Sequence, residues 1–364
     1  MKKILLVVNV SLIWFATLAA QEGYEVIKSD AEKLYQEGSY QQAHDLYLKA
    51  APEKLSKDEA RWVRFRLADT LWRSQAATNT ADPTRYQKAE ADLNALVRDV
   101  QRAEERDGIW AEVEESLGDF YWTRNDSRNW GGAWGHYQLA LDWWAGSQEI
   151  DRARDRYLRI VWRATSPPWR EPYYFYGYYG NFVPLPVVEN ALEIATTADD
   201  RAHAHYLVAM TLRQQGDPYR QSRVREEFEA ALQIGKSTEW HDDALYHFGE
   251  WLMSYGGSEV QEDGQIRVQP DFVKALEVFR RLLGEYQKGE TRYFDQARNQ
   301  ITGITGPVLG VGVASFFLPD AEIQYQLSWR NVKRIDLALY PLDLTRDVNL
   351  AGEDKSAGAW LAAS

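Results

Sequence analysis

The sequence contains no cysteine and only three methionines in 364 residues. Without cysteine there is no disulfide, no thiolate metal site and no cysteine nucleophile, so stability has to come from packing alone. Positive charge is in short supply as well. Lys and Arg total 42 against 54 Asp and Glu, a net charge of −12. An acidic surface repels phosphate, so nucleic acid is a poor partner and a polybasic membrane-surface role is disfavoured. No long apolar run occurs after the first twenty residues, so no integral membrane segment is expected beyond them. What the chain has in quantity is aromatic: 15 Trp and 21 Tyr. Its 45% hydrophobic content supplies a sizeable core, and its length favours two or more units.

Lys2 and Lys3 precede an apolar stretch from Ile4 to Leu18, with small residues at Ala19 and Ala20. This pattern predicts a signal peptide over 1–20, cut after Ala19 or Ala20, and a periplasmic or extracellular destination. The stretch is short for a membrane span, which needs about 20 apolar residues.

From Ala31 to Ala51 the sequence reads AEKLYQEGSYQQAHDLYLKAA. Ala31, Gly38, Tyr40, Ala43, Tyr47 and Ala50 match the spacing of a tetratricopeptide helical hairpin. Small residues at 31 and 43 allow close helix approach, Gly38 permits the turn, and Pro52 is expected to end the second helix. A capping box at Ser29–Glu32 is an alternative, later start for the first helix. A second box, Ser56–Glu59, precedes a helix carrying Trp62, Phe65, Leu67 and Leu71. Further units are marked by Leu117, Gly118, Tyr121, Ala133, Tyr137 and Ala140; by Ala209, Gly216, Phe228 and Ala231; and by Ala244, Gly249, Ala275 and Phe279. Their turns are longer, with an insertion at 256–270. The expected architecture is mainly α: a TPR-like solenoid over 21–305, in which each repeat buries its face on its neighbours.

Beyond it, Gly306–Gly312 reads as a linker, and Val311–Leu318 as a possible strand. Ile323, Tyr325, Leu327 and Trp329 then alternate with Glu322, Gln324, Gln326 and Ser328, the pattern of a half-buried strand. Ile335, Leu337 and Leu339 repeat that alternation. Residues 306–364 are expected to form a short β segment, an incomplete β-sandwich domain, since a sandwich needs about 100 residues.

The stretch FFLPDAEIQYQLSWRNVKRIDLALYPLDL, Phe316–Leu344, resembles the opening macroglobulin-type β domain of bacterial α2-macroglobulin-like proteins. The helical stretches Tyr206–Tyr219 and Lys274–Leu283 resemble the region preceding it. The resemblance implies an exported chain with macromolecular partners and a role in protease inhibition or defence. Its thioester chemistry does not carry over, because that motif needs a cysteine.

No enzymatic motif, metal site or cofactor is expected. His241, Asp243 and His247 sit close on one helix, but a mixed-charge surface helix accounts for them, and the HExxH spacing is absent. His203 and His205 point to different sides. The tryptophans Trp143 and Trp144 read as core. The candidate site is the segment SPPWREPYYFYGYYGNFVPLP, 166–186. Trp169, Tyr173, Tyr174, Tyr176, Tyr178, Tyr179 and Phe182 would bind a protein or peptide partner, or alternatively a cell-wall glycan, through large rings with polar tips. The other readings are that they fill a gap between repeats or insert at a membrane interface.

Overall fold

The computed structural model describes residues 23–78, 82–98, 102–123, 129–166, 183–313 and 324–337, with 100 and 322. The fold is mainly helical. The helices are α1 (described over 23–36), α2 (Tyr40–Tyr47), α3 (Lys57–Thr78), α4 (Pro83–Arg98), α5 (Gly108–Thr123), α6 (Trp130–Ala145) and α7 (Ile150–Thr165). They continue with α8 (Leu185–Ile194), α9 (Ala198–Gln215), α10 (Gln221–Ile234), α11 (His241–Tyr255), α12 (Phe272–Glu285) and α13 (Phe294–Thr305). Two small antiparallel sheets complete the described residues. One pairs β1 (Glu259–Val260) with β2 (Ile266–Arg267), the other β3 (Val308–Val313) with β4 (Tyr325–Arg330). The chain divides into two compact units, Met1–Phe294 and Asp295–Ser364.

Local chemistry sets the helix ends in the first unit. Ser56 and Glu59 form a reciprocal box. The Ser56 amide donates to Glu59 Oε2 at 2.9 Å, and the Glu59 amide donates to Ser56 Oγ at 3.3 Å. Thr197 accepts from the Asp200 amide to start α9, which stops at Gly216 with φ +65°. Asp271 accepts from the Lys274 amide to start α12. Gly38, at φ +77°, makes the tight α1–α2 turn. Two expectations fail here. Ser29 is inside α1, which already runs at residue 23, so the first capping box is unused. And α2 ends at Tyr47, with Pro52 opening a short 3-10 turn instead of stopping a helix.

From α2 to α12, each helix packs on its neighbours in sequence. Every extensive helix–helix contact joins consecutive elements or alternate odd-numbered helices, namely α3 with α5, α5 with α7, and α9 with α11. One core cluster shows how this works. Phe65, Ala68 and Trp72 of α3, Tyr86, Ala89 and Leu93 of α4, and Val113, Leu117 and Phe120 of α5 are all buried together. The pair α7–α8 carries the aromatic segment in its connection, and α8 is a helix that the sequence reading did not place.

Within pairs, a glycine meets a ring. Gly118 of α5 lies against Tyr137 of α6, where an added Cβ would stand 2.4 Å from Tyr137 Cδ1. Gly249 of α11 meets Phe279 of α12 the same way, at 2.6 Å. A side chain at either position would push the helices apart.

In the second unit, the register pairs Leu309 with Trp329, Val311 with Leu327 and Val313 with Tyr325. These six apolar side chains share one face, and five of them are exposed by half or more. The expected alternation is therefore present in β4, but its apolar side is not buried. The expected linker is in fact strand from Val308. Gly310 serves close strand approach, since a Cβ there would stand 2.6 Å from Ser328 Oγ. Residues 334–337 are not in a strand, and Leu337 is exposed. Asn331, at φ +56°, turns the chain after β4; its side-chain amide donates to Ile304 O (2.7 Å) and Gly306 O (3.1 Å). It thereby satisfies carbonyls at the end of α13.

Candidate functional site

Trp169, Tyr173, Tyr174, Tyr176, Tyr178, Tyr179 and Phe182 lie outside the described residues. Their flanks are placed: α7 ends at Thr165 and α8 begins at Leu185. The odd-numbered helices share a face on which charged and aromatic groups meet.

Its first half is ionic. Arg66 of α3 donates to both oxygens of Glu32 on α1, at 2.8 and 2.7 Å, and its guanidinium stacks over Tyr35 and Trp62. Arg73, one helical turn beyond Asp69, bridges Asp69 and Asp119 of α5, each at 2.8 Å. Arg156 of α7 reaches Glu112 (2.7 Å) and Glu115 (3.1 Å) of α5. Arg152 also pairs with Glu112, and Arg163 stands 3.6 Å from Asp119. Helix α5 thus presents Glu112, Glu115 and Asp119 to arginines of α3 on one side and α7 on the other. Among the described residues the ladder sets five carboxylates against five guanidinium groups. These pairs tie α3 and α7 to the intervening α5.

Burial raises Glu115 to about 7, with Arg156 pulling the other way and Asp119 and Glu112 adding to the rise. Burial also acts to raise Asp119, but Arg73, Arg163 and the Tyr137 hydroxyl overcome it and hold the carboxyl below its ordinary value. The sign for Glu115 follows. The folded chain holds a proton there that the unfolded chain releases, so stability falls as pH rises from about 4.5 towards about 7. Glu115→Gln is expected to flatten the urea midpoint across that interval, read by circular dichroism at half-unit pH steps. An unchanged slope would place the titrating group elsewhere.

The second half is aromatic. His203 of α9 lies between Trp162 of α7 and Trp240, at ring-centroid distances of 4.1 and 3.6 Å. Tyr206 continues the stack towards Trp240 and His247. Tyr293 donates to Asp243 Oδ1 at 2.7 Å and meets His247 Nε2 at 3.2 Å, while His247 Nδ1 meets Glu250 at 2.9 Å. His241, Asp243 and His247 are buried, not on a surface face as expected. His241 pairs with Glu285 of α12, and Asp243 also with Arg292. Among the described residues no group of three or more His, Asp or Glu is arranged to hold a metal ion. None of the described helices is long and apolar enough to cross a membrane. Trp144 is core, and Trp143 packs on it edge-on while donating to Arg106 O.

The sequence reading missed the ionic ladder. Its signal was present, as acidic residues at 112, 115 and 119 and arginines at 152, 156, 159 and 163, all at helical spacing. On an acidic chain that spacing is shared by solvated faces. No protein-family profile matches the chain, and no curated protein sequence is significantly similar to it.

Proposed function

We propose that this chain is an exported protein-interaction scaffold. Its helix pairs stack as a TPR-like α-α solenoid, and its partner is a protein or peptide engaged at the 166–186 connection. The observation that carries the reading is the contact pattern: among the described residues, every extensive helix–helix contact joins near neighbours in sequence, with odd-numbered helices also meeting one another. That is how stacked repeats bury a continuous core while leaving their connections free to vary. The long connections fall between the helices of a pair, at 166–184 and 256–271, the latter bearing β1 and β2. The motif at Phe316–Leu344 supports a place at the head of a bacterial α2-macroglobulin-like protein, with protease inhibition or defence as the setting.

A photo-crosslinking residue in place of Tyr176, in the exported fraction of the producing cell, tests both levels on one immunoblot. Irradiation is expected to give discrete adducts with protein. Adducts with cell-wall glycan alone would overturn the protein partner in favour of the glycan reading. The unirradiated lane reads native size. A band far above that of 364 residues supports the macroglobulin-like context, and a band at the mature size removes it.

A further inference from the structure

Among the described residues, His203 is the one titratable group on the aromatic half of the shared face that is buried with no polar partner recorded. It is 5% exposed, and its Nε2 has no hydrogen-bond partner. The ring is a tile joining three successive helix pairs, since Trp162 is on α7, His203 on α9, and Trp240 immediately before α11. We infer that His203 is an acid-sensitive joint: neutral, it cements the α7, α9 and α11 stack, and protonated, it loosens that stack and lets successive helix pairs move.

Imidazolium needs an anion or an acceptor, and among the described residues none is hydrogen-bonded to Nε2 of His203. Charged groups on the packed elements have other partners: on α7, Arg156 pairs with Glu112 and Glu115, and Arg163 stands 3.6 Å from Asp119. On α9, Asp199 accepts from the Glu239 amide, and Asp200 accepts from Trp162 Nε1 and from Thr197. Arg201 donates to Thr196 O, and His205 pairs with Glu227 of α10. On α11, His241 faces Glu285 and Arg281, Asp243 faces Arg292 and Tyr293, and His247 faces Glu250. From α7 and from the turn before α11, His203 meets indole faces. Those faces attract a cation, but less than burial of an unpaired charge costs. Burial accordingly holds His203 well below the ordinary histidine value of 6.5. The contrast with its neighbours is chemical. His136, His205, His241 and His247 each have a glutamate within 2.9 Å, and His203 has none.

The linkage sign is that of a depressed base. Below about 6.5 the unfolded chain takes up a proton at this position that the folded chain resists. His203 therefore withdraws stability as pH falls, opposite to Glu115 over the same interval.

The test begins on the native chain. Histidine ring signals are followed by NMR from pH 8 to 4.5, with His203 assigned by its loss in His203→Gln. The expected result is a His203 signal that does not move through pH 6.5. Titration of His203 at or above 6.5 overturns the proposal, whatever the variants do. The second arm compares thermal midpoints of the native chain and His203→Phe, which keeps a flat ring in the stack and cannot titrate. Glu115 contributes equally to both chains and cancels in the difference. The native chain is expected to lose several degrees more than His203→Phe between pH 7.5 and 5. An equal loss in both chains overturns the joint.

Discussion

Replacing Asp119 by alanine is expected to destabilise the chain by about 3–5 kcal/mol, the cost of breaking a buried pair by removing one partner. Asp119 is buried, and three groups depend on it: Arg73 at 2.8 Å, the Tyr137 hydroxyl at 2.7 Å and Arg163 at 3.6 Å. Alanine leaves the guanidinium of Arg73 with Asp69 alone and the Tyr137 hydroxyl with no acceptor in a closed core. Asp119→Asn keeps an acceptor and the shape while removing the charge, so its loss is expected to be smaller. Urea unfolding followed by circular dichroism reads both. A loss below about 1 kcal/mol for the alanine variant would mean that the ladder behaves like solvated surface pairs.

Gly118→Val is expected to cost about 1–3 kcal/mol by overpacking. The new Cβ would fall 2.4 Å from Cδ1 and 2.5 Å from Cε1 of Tyr137. That ring cannot swing clear, because it is fully buried and its hydroxyl is tied to Asp119. The two helices of the pair would have to separate. Gly135→Ala on α6 is the control: nothing lies within 4 Å of its added Cβ, and a stabilisation of about 0.5–1 kcal/mol is expected from helix propensity alone. If Gly118→Val and Gly135→Ala shift the thermal midpoint alike, close approach at Gly118 is not what holds the pair. The double variant Asp119→Ala, Gly118→Val should cost less than the sum of the two, because both act on Tyr137.

The helices were largely legible because their signals are local. The Ser56–Glu59 box, the apolar spacing of α4 and the Gly38 turn each act within a few residues. They hold whatever the rest of the chain does. The glycine-to-ring pairings at 118/137 and 249/279 were legible as repeat spacing, although their geometry was not. The α1 start and the end of α2 were misread for the same kind of reason. Ser29 has good capping chemistry, but the residues before it already form helix. Pro52 can stop a helix, but the chain had left the helix four residues earlier.

By itself the sequence determined the class of the protein: mainly helical, free of cysteine chemistry, acidic, and built from small and aromatic residues at hairpin spacing. It determined the alternation of Tyr325, Leu327 and Trp329 as well, since a pleated strand needs only that pattern. Tertiary structure alone decided which charges became buried partners. Glu112, Glu115 and Asp119 look like any solvated helical face until α3 and α7 set arginines on both sides of α5. It alone decided that His203 would sit buried between two indoles while His205, two residues on, found a glutamate. Periodicity fixes which side of a helix a residue occupies; the environment on that side is supplied by other helices, 40, 41 and 46 residues away for the arginines that meet Glu112, Glu115 and Asp119.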